Sequence, residues 1–147
     1  MVITNRFRLM LNKLLSKPKR LFLIDSLGAF LTALLLGTVL IRLEEVFGMP
    51  AKVLTPLSIL AFIYAIYSMS CHFFVGGDWR PFLKVIAIAN LIYCCITLGL
   101  IVLFYRTLTI LGLTYFFGEI IIMGGLVFIE VLAIAKSNDM HINKNNR

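Results

Sequence analysis

Residues 108–135 read LTILGLTYFFGEIIIMGGLVFIEVLAIA, 28 positions without a lysine or arginine, broken only by Glu119 and Glu130. A membrane-crossing helix needs about 20 consecutive, mostly apolar residues. In hydrocarbon the backbone must satisfy its own hydrogen bonds, and a helix does so within one segment. Three further runs of the same kind cover about 21–41, 54–74 and 82–105. The chain is 61% apolar, against about 45–50% in soluble domains. With 147 residues, the four runs leave no length for a soluble catalytic domain. The fold class expected is therefore all-α: an integral membrane four-helix bundle over residues 21–136. Its connections are short, which makes it up-down. A basic segment (1–20) precedes it and a polar tail (137–147) follows, the tail expected to be disordered.

The net charge of +7 has a positional pattern. Arg6, Arg8, Lys13, Lys17, Lys19 and Arg20 alternate with Phe7, Leu9, Met10, Leu11, Leu14 and Leu15 at roughly helical spacing, up to Pro18. That reads as a short amphipathic surface helix on anionic lipid headgroups, not as a nucleic-acid patch. If residues 1–20 share a side with Arg80, Lys84, Lys136, Lys144 and Arg147, that side holds 11 basic residues. The opposite loops hold Arg42, Lys52 and Arg106. The positive-inside rule then puts both termini in the cytoplasm. No A-x-A site follows the first run, so a cleaved signal peptide is not expected.

Each run carries one face of small or polar residues. Asp25, Ala29, Ala33 and Gly37 line the first, and Ala61, Ala65, Ser68 and His72 the second, flanked by Tyr64 and Cys71. Lys84, Ala87, Asn90, Cys94 and Thr97 line the third. Glu119 and Glu130 are 11 residues apart, which at 3.6 residues per turn is about three turns, so they share a face of the fourth with Met123. Arg106 and Thr107 leave room only for a tight turn, making the third and fourth runs antiparallel neighbours. Small residues four apart allow close helix contact.

Depths follow from a rise of about 1.5 Å per residue. Asp25, His72, Lys84 and Glu130 fall roughly 9–14 Å to the cytoplasmic side of the span centres. They are expected to form a polar cluster at the inner mouth of the bundle. Glu119 falls within roughly 4 Å of the centre, level with Tyr64, Cys94 and Thr97. It is expected to be protonated or hydrogen-bonded to the third run through Asn90 or Thr97. Ionisable residues in a span are costly and mark function by default.

Other chemistry finds little support. His72 is the only histidine in an apolar run, so axial ligation of a haem would need a second copy. Cys94 and Cys95 are adjacent, but Cys71 lies some 10 Å away along the bilayer normal, and buried thiols ordinarily behave as small hydrophobes. No Gly-rich phosphate loop, H-E-x-x-H or nucleophile elbow occurs. No cofactor or metal is expected. The leading function is a non-enzymatic subunit or accessory protein, with homo- or hetero-oligomeric partners. The alternative is a small transporter or proton-coupled permease using Glu119.

Residues 67–121 contain Tyr67-Ser-Met-Ser-Cys71-His72, Asp78-Trp79-Arg80-Pro81-Phe82, Ala89-Asn90-Leu-Ile-Tyr93-Cys94, Leu108-Thr-Ile-Leu-Gly112 and Tyr115-Phe-Phe-Gly-Glu119. This texture resembles small four-helix integral membrane proteins of bacteria that have no assigned activity. The resemblance implies a multi-pass protein of the cytoplasmic membrane and carries no functional residue with it. Four-span mercury transporters carry vicinal cysteines in their first span. Small multidrug exporters carry a Glu in the middle of theirs. This chain matches neither pattern.

Overall fold

The computed structural model describes residues 17–145, and residue 9 in the stretch before them. The surface helix expected for residues 1–20 therefore lies almost wholly outside the described residues. No strand occurs among those described. In chain order the elements are α1 (Pro18–Leu34), a π-helical continuation (Leu35–Leu40), α2 (Glu44–Phe47), α3 (Ala51–Phe74), α4 (Arg80–Leu103) and α5 (Ile110–Asn145). Among the described residues, four stretches are long and apolar enough to cross a membrane: Lys19–Leu40, Ala51–Phe74, Arg80–Leu103 and Ile110–Ser137. The shortest has 22 residues, about 33 Å of helix against a hydrocarbon core of about 30 Å. α5 continues through the polar residues after Lys136 as far as Asn145.

The distribution of side chains inverts that of a water-soluble protein. Phe30, Ile63, Ile88 and Ile121 are 49–72% exposed on the outer face, while Asp25, Asn90 and Glu130 are 1% exposed. Such an arrangement suits apolar surroundings, where outward Ile and Phe cost nothing and polar groups must turn inward.

Helix ends follow local chemistry. Pro18 opens α1 and Pro81 lies in the first turn of α4, positions whose N–H has no helical partner. Pro50 is extended and precedes α3, whose first N–H, at Ala51, donates to Glu44 Oε2 at 2.7 Å. α3 therefore starts at Ala51, three residues before the apolar run suggests. Thr109 caps α5 by accepting the Gly112 N–H at 3.1 Å. The sequence marks 42–53 only as a connection, yet it folds into α2 and buries Phe47 and Met49. Thr109 fastens α2 to the start of α5: its hydroxyl donates to Val46 O at 2.6 Å and its N–H to Phe47 O at 3.3 Å. Gly48 ends α2 with φ +77°, a conformation that favours glycine.

Two helix pairs dominate the packing: α1 with α3, and α4 with α5. Along the first, Ser68 Oγ donates to Phe22 O at 2.8 Å, Ser26 Oγ to Ala65 O at 2.9 Å and Ser58 Oγ to Ala33 O at 2.8 Å. Position numbers fall on α3 as they rise on α1. Ala29, Ala33, Ala61 and Ala65 are buried at this seam, and their small size is what lets the serine hydroxyls reach the opposite backbone. The π-helical turn falls where the pair is tightest. A Cβ at Gly37 would lie 2.6 Å from Ser58 Oγ, and Thr38 Oγ1 takes up the Leu34 carbonyl at 2.5 Å.

The core is split. One apolar cluster includes Leu36, Leu40, Leu54, Tyr93 and Phe116. A second includes Leu21, Phe22, Leu83, Ile86 and Ile134. Asp25, Ser26, Ser68, Asn90 and Glu130, each at most 2% exposed, are among the buried polar residues on α1, α3, α4 and α5, flanked in sequence by members of the second cluster.

Candidate functional site

The buried polar residues form two groups. In the first, Asn90 Nδ2 donates to Asp25 Oδ1 at 2.6 Å, linking α4 to α1. Ser68 adjoins Asp25 from α3. Glu130, on α5, adjoins the Asn90 amide and lies within electrostatic reach of Asp25. Neither Glu130 oxygen nor Asn90 Oδ1 has a hydrogen-bond partner. All four spanning helices thus contribute, and three acceptor oxygens remain unpaired.

The second group surrounds Glu119. Tyr93 Oη donates to Glu119 Oε1 at 3.0 Å, across the α4–α5 pair. Thr32 adjoins the carboxyl from α1. Glu119 Oε2 has no hydrogen-bond partner. A cavity of about 300 Å3 lies between α1 and α5, lined among others by Gly28, Leu31, Thr32, Gly118, Glu119 and Met123. Here the two helices touch sparingly, and glycines on both sides leave the space. The cavity flank is Leu31 and Ile122, which are 57% and 68% exposed. The crevice therefore opens sideways, toward the surface that lipid would cover, with Glu119 in its wall.

The sequence-derived candidates divide between these groups. Asp25 and Glu130 come together, as one cluster was expected to bring them. His72 and Lys84 do not join them. His72 Nδ1 lies 2.6 Å from Lys19 O, a bond that needs the ring proton on Nδ1 and ties the end of α3 to the start of α1. Lys84 is exposed, and no ion pair joins it to a carboxylate among the described residues. Asn90 serves Asp25 rather than Glu119. Thr97 turns its hydroxyl to Tyr93 O, one turn back on its own helix, at 3.0 Å. Tyr64 reaches the Glu119 group only through its ring, 6.5 Å centre to centre from that of Tyr93. Cys94 is buried and Cys95 exposed, so the adjacent thiols face different surroundings.

Tyr93 is the residue that sequence reasoning missed. Its signal was available: a tyrosine one turn before Thr97 and three positions after Asn90 sits beside the polar stripe, and a buried phenol needs a partner. Ser26 and Ser58 were equally unmarked, and Ser68 was marked only as part of a packing face, since a serine on an apolar helix looks like a packing residue until its hydroxyl is seen to cross to another backbone.

Chemically, the interior holds three carboxyl groups whose described neighbours are amides, hydroxyls and apolar side chains. The ion pair between Arg80 and Asp78, at 4.0 Å, lies outside this interior, at the start of α4. A bare carboxylate in such surroundings is costly. Each must carry a proton, accept enough hydrogen bonds, or meet a cation. Nucleophile–base geometry of the hydrolytic kind is not assembled among the described side chains. No protein-family model, curated protein or solved structure matches this chain.

Proposed function

We propose that the protein is a small, non-enzymatic carrier of the bacterial cytoplasmic membrane, and that Glu119 is its exchange site for protons and a small, largely apolar cation. The four spans run up-down with both termini on the cytoplasmic side. The contacts Lys19–His72 and Arg80–Ser137 support the up-down arrangement, because each ties the two helices of one pair at the end nearest the 75–79 loop, and the basic residues favour placing that end in the cytoplasm. The observation that carries the transport reading is the α1–α5 crevice with Glu119, whose carboxyl has one oxygen without a hydrogen bond, in its wall. A group used only to hold helices together gains most by having both oxygens bonded and the space around it filled. Glu119 has one oxygen bonded to Tyr93 and the other buried without a hydrogen-bond partner beside Thr32, and its side chain forms part of the crevice wall. One carboxyl among apolar side chains suits a guest with one positive charge and an apolar body, and a proton serves as the competing occupant.

The test is access to position 119. A Glu119→Cys variant is made in a background lacking Cys71, Cys94 and Cys95. A membrane-soluble maleimide is expected to label it in intact membranes, and a lipophilic cation such as tetraphenylphosphonium to slow labelling in a background that retains the carboxyl at a neighbouring crevice position, Thr32→Glu. Failure of both membrane-soluble and impermeant reagents to label position 119, with loop cysteines reacting normally, means a closed core, and the carrier reading falls in favour of a structural subunit.

A further inference from the structure

The group formed by Asp25, Asn90 and Glu130 is separate from the Glu119 crevice and is used by no step above. Glu119 and Glu130 are about three turns, or roughly 16 Å, apart along α5. The residues come from three different helices, and each is 1% exposed. Their unpaired atoms have one chemistry. Asn90 Oδ1 and both Glu130 oxygens are buried acceptors without a hydrogen bond, while the Asn90 amide, which also adjoins Glu130, is bonded to Asp25. Buried acceptors are ordinarily satisfied, and two carboxyl groups this close are not both left charged without a proton or a cation.

A proton is one occupant. Placed on Glu130, it pairs one carboxyl oxygen with Asn90 Oδ1 and leaves the other Glu130 oxygen bare. A metal cation would draw on the same oxygens, together with those of Asp25, which lies within electrostatic reach of Glu130. The donor set is hard oxygen, which excludes a preference for soft metals. Two carboxyl groups and one amide supply at most five oxygens, short of the six to eight that calcium takes. Magnesium keeps several waters, which an interior flanked by Leu21, Phe22, Leu83 and Ile134 does not favour. We infer that Asp25, Asn90 and Glu130 form a binding site for a small monovalent metal cation, with sodium the fitting size, held inside the membrane domain by ligands from α1, α4 and α5. This inference does not depend on the carrier reading, since binding is measured without transport.

The experiment uses the full-length protein, purified in detergent free of sodium and titrated with sodium chloride against choline chloride at matched ionic strength. Thermal unfolding is followed by circular dichroism. A ligand that binds only the folded state raises Tm continuously with its concentration. The expected result is a sodium-dependent rise in Tm that choline does not reproduce, with matching heat in a calorimetric titration. Glu130→Gln, which keeps shape and removes the charge, is expected to lose the sodium response, and Glu119→Gln to keep it. Equal Tm in sodium, lithium, potassium and choline chlorides overturns the inference and leaves a proton as the occupant, and so does an equal rise in all four. Should Glu130→Gln fail to fold, the comparison of salts on the unaltered protein still decides.

Discussion

At the scale of single residues, this chain depends on atoms that are absent. A Cβ added at Gly112 would overlap the Phe47 carbonyl, which the Thr109 N–H already binds. Nothing can shift there without pulling α2 off α5. Gly112→Ala is therefore expected to destabilise the protein by about 1–3 kcal/mol, the usual range for overpacking. Gly99→Ala is the matched control: it lies inside α4, and a Cβ there would meet nothing within 4 Å. Its effect should stay within about 1 kcal/mol, in the stabilising direction that Gly→Ala has in a helix interior. Unfolding in mixed micelles with rising SDS, followed by circular dichroism, separates the two. Equal losses at both positions would show that the close approach of α2 and α5 contributes nothing. Both glycines look alike in the sequence, because the obstacle to one of them lies 65 positions away, at Phe47.

Among elements, the α1–α3 pair is stitched by three serine hydroxyls onto opposite backbones. The π-helical stretch Leu35–Leu40 sits where Gly37 meets Ser58. π-turns shift the face a helix presents and commonly mark close contacts or functional positions. Gly37→Ala forces Ser58 Oγ away from the Ala33 carbonyl, at an expected cost of about 1–2 kcal/mol from overpacking and the lost bond. Ser58→Ala removes the obstacle, and the double variant should be no less stable than Gly37→Ala alone. Additive losses in that double-mutant cycle would mean that the two positions act independently. The repeat Asp25, Ala29, Ala33, Gly37 revealed this packing face in advance, since spacing by four is a property of any helix. It did not reveal the π-turn, which depends on what the opposite helix presents.

For the molecule as a whole, orientation is the testable property. Both pairs end near the 75–79 loop, and the basic residues favour placing that end in the cytoplasm. Fusions of a fluorescent protein to either terminus are expected to fluoresce. Alkaline phosphatase inserted between residues 48 and 50 should be active, as it is only when exported. Phosphatase activity at residues 76–77 instead would reverse the orientation. The polar interior was legible from the helical spacing of small and polar residues on one face of each run, and spanning length from composition and run length. The division of the interior into two apolar clusters with polar residues between them was legible only in part. Asp25 and Glu130 were matched by depth, which a rise per residue supplies. His72 lies level with Lys19, six residues or about 9 Å beyond Asp25 toward the helix end, and Lys84 is exposed; a depth taken from the midpoint of a run fixes neither the register between helices nor the direction around an axis.

What the sequence by itself determined is one-dimensional: four apolar runs of spanning length, their helical faces, their charge asymmetry and the approximate depth of each ionisable residue. These depend on composition and on the fixed geometry of a helix. Tertiary structure alone decided which polar groups meet. It gave Asn90 to Asp25 and Tyr93 to Glu119, left Glu130 without a hydrogen bond, and opened a crevice between α1 and α5. The physical reason is that rotation and tilt of each helix are set by packing against its neighbours, so a hydrogen bond between helices depends on residues far from both of its partners.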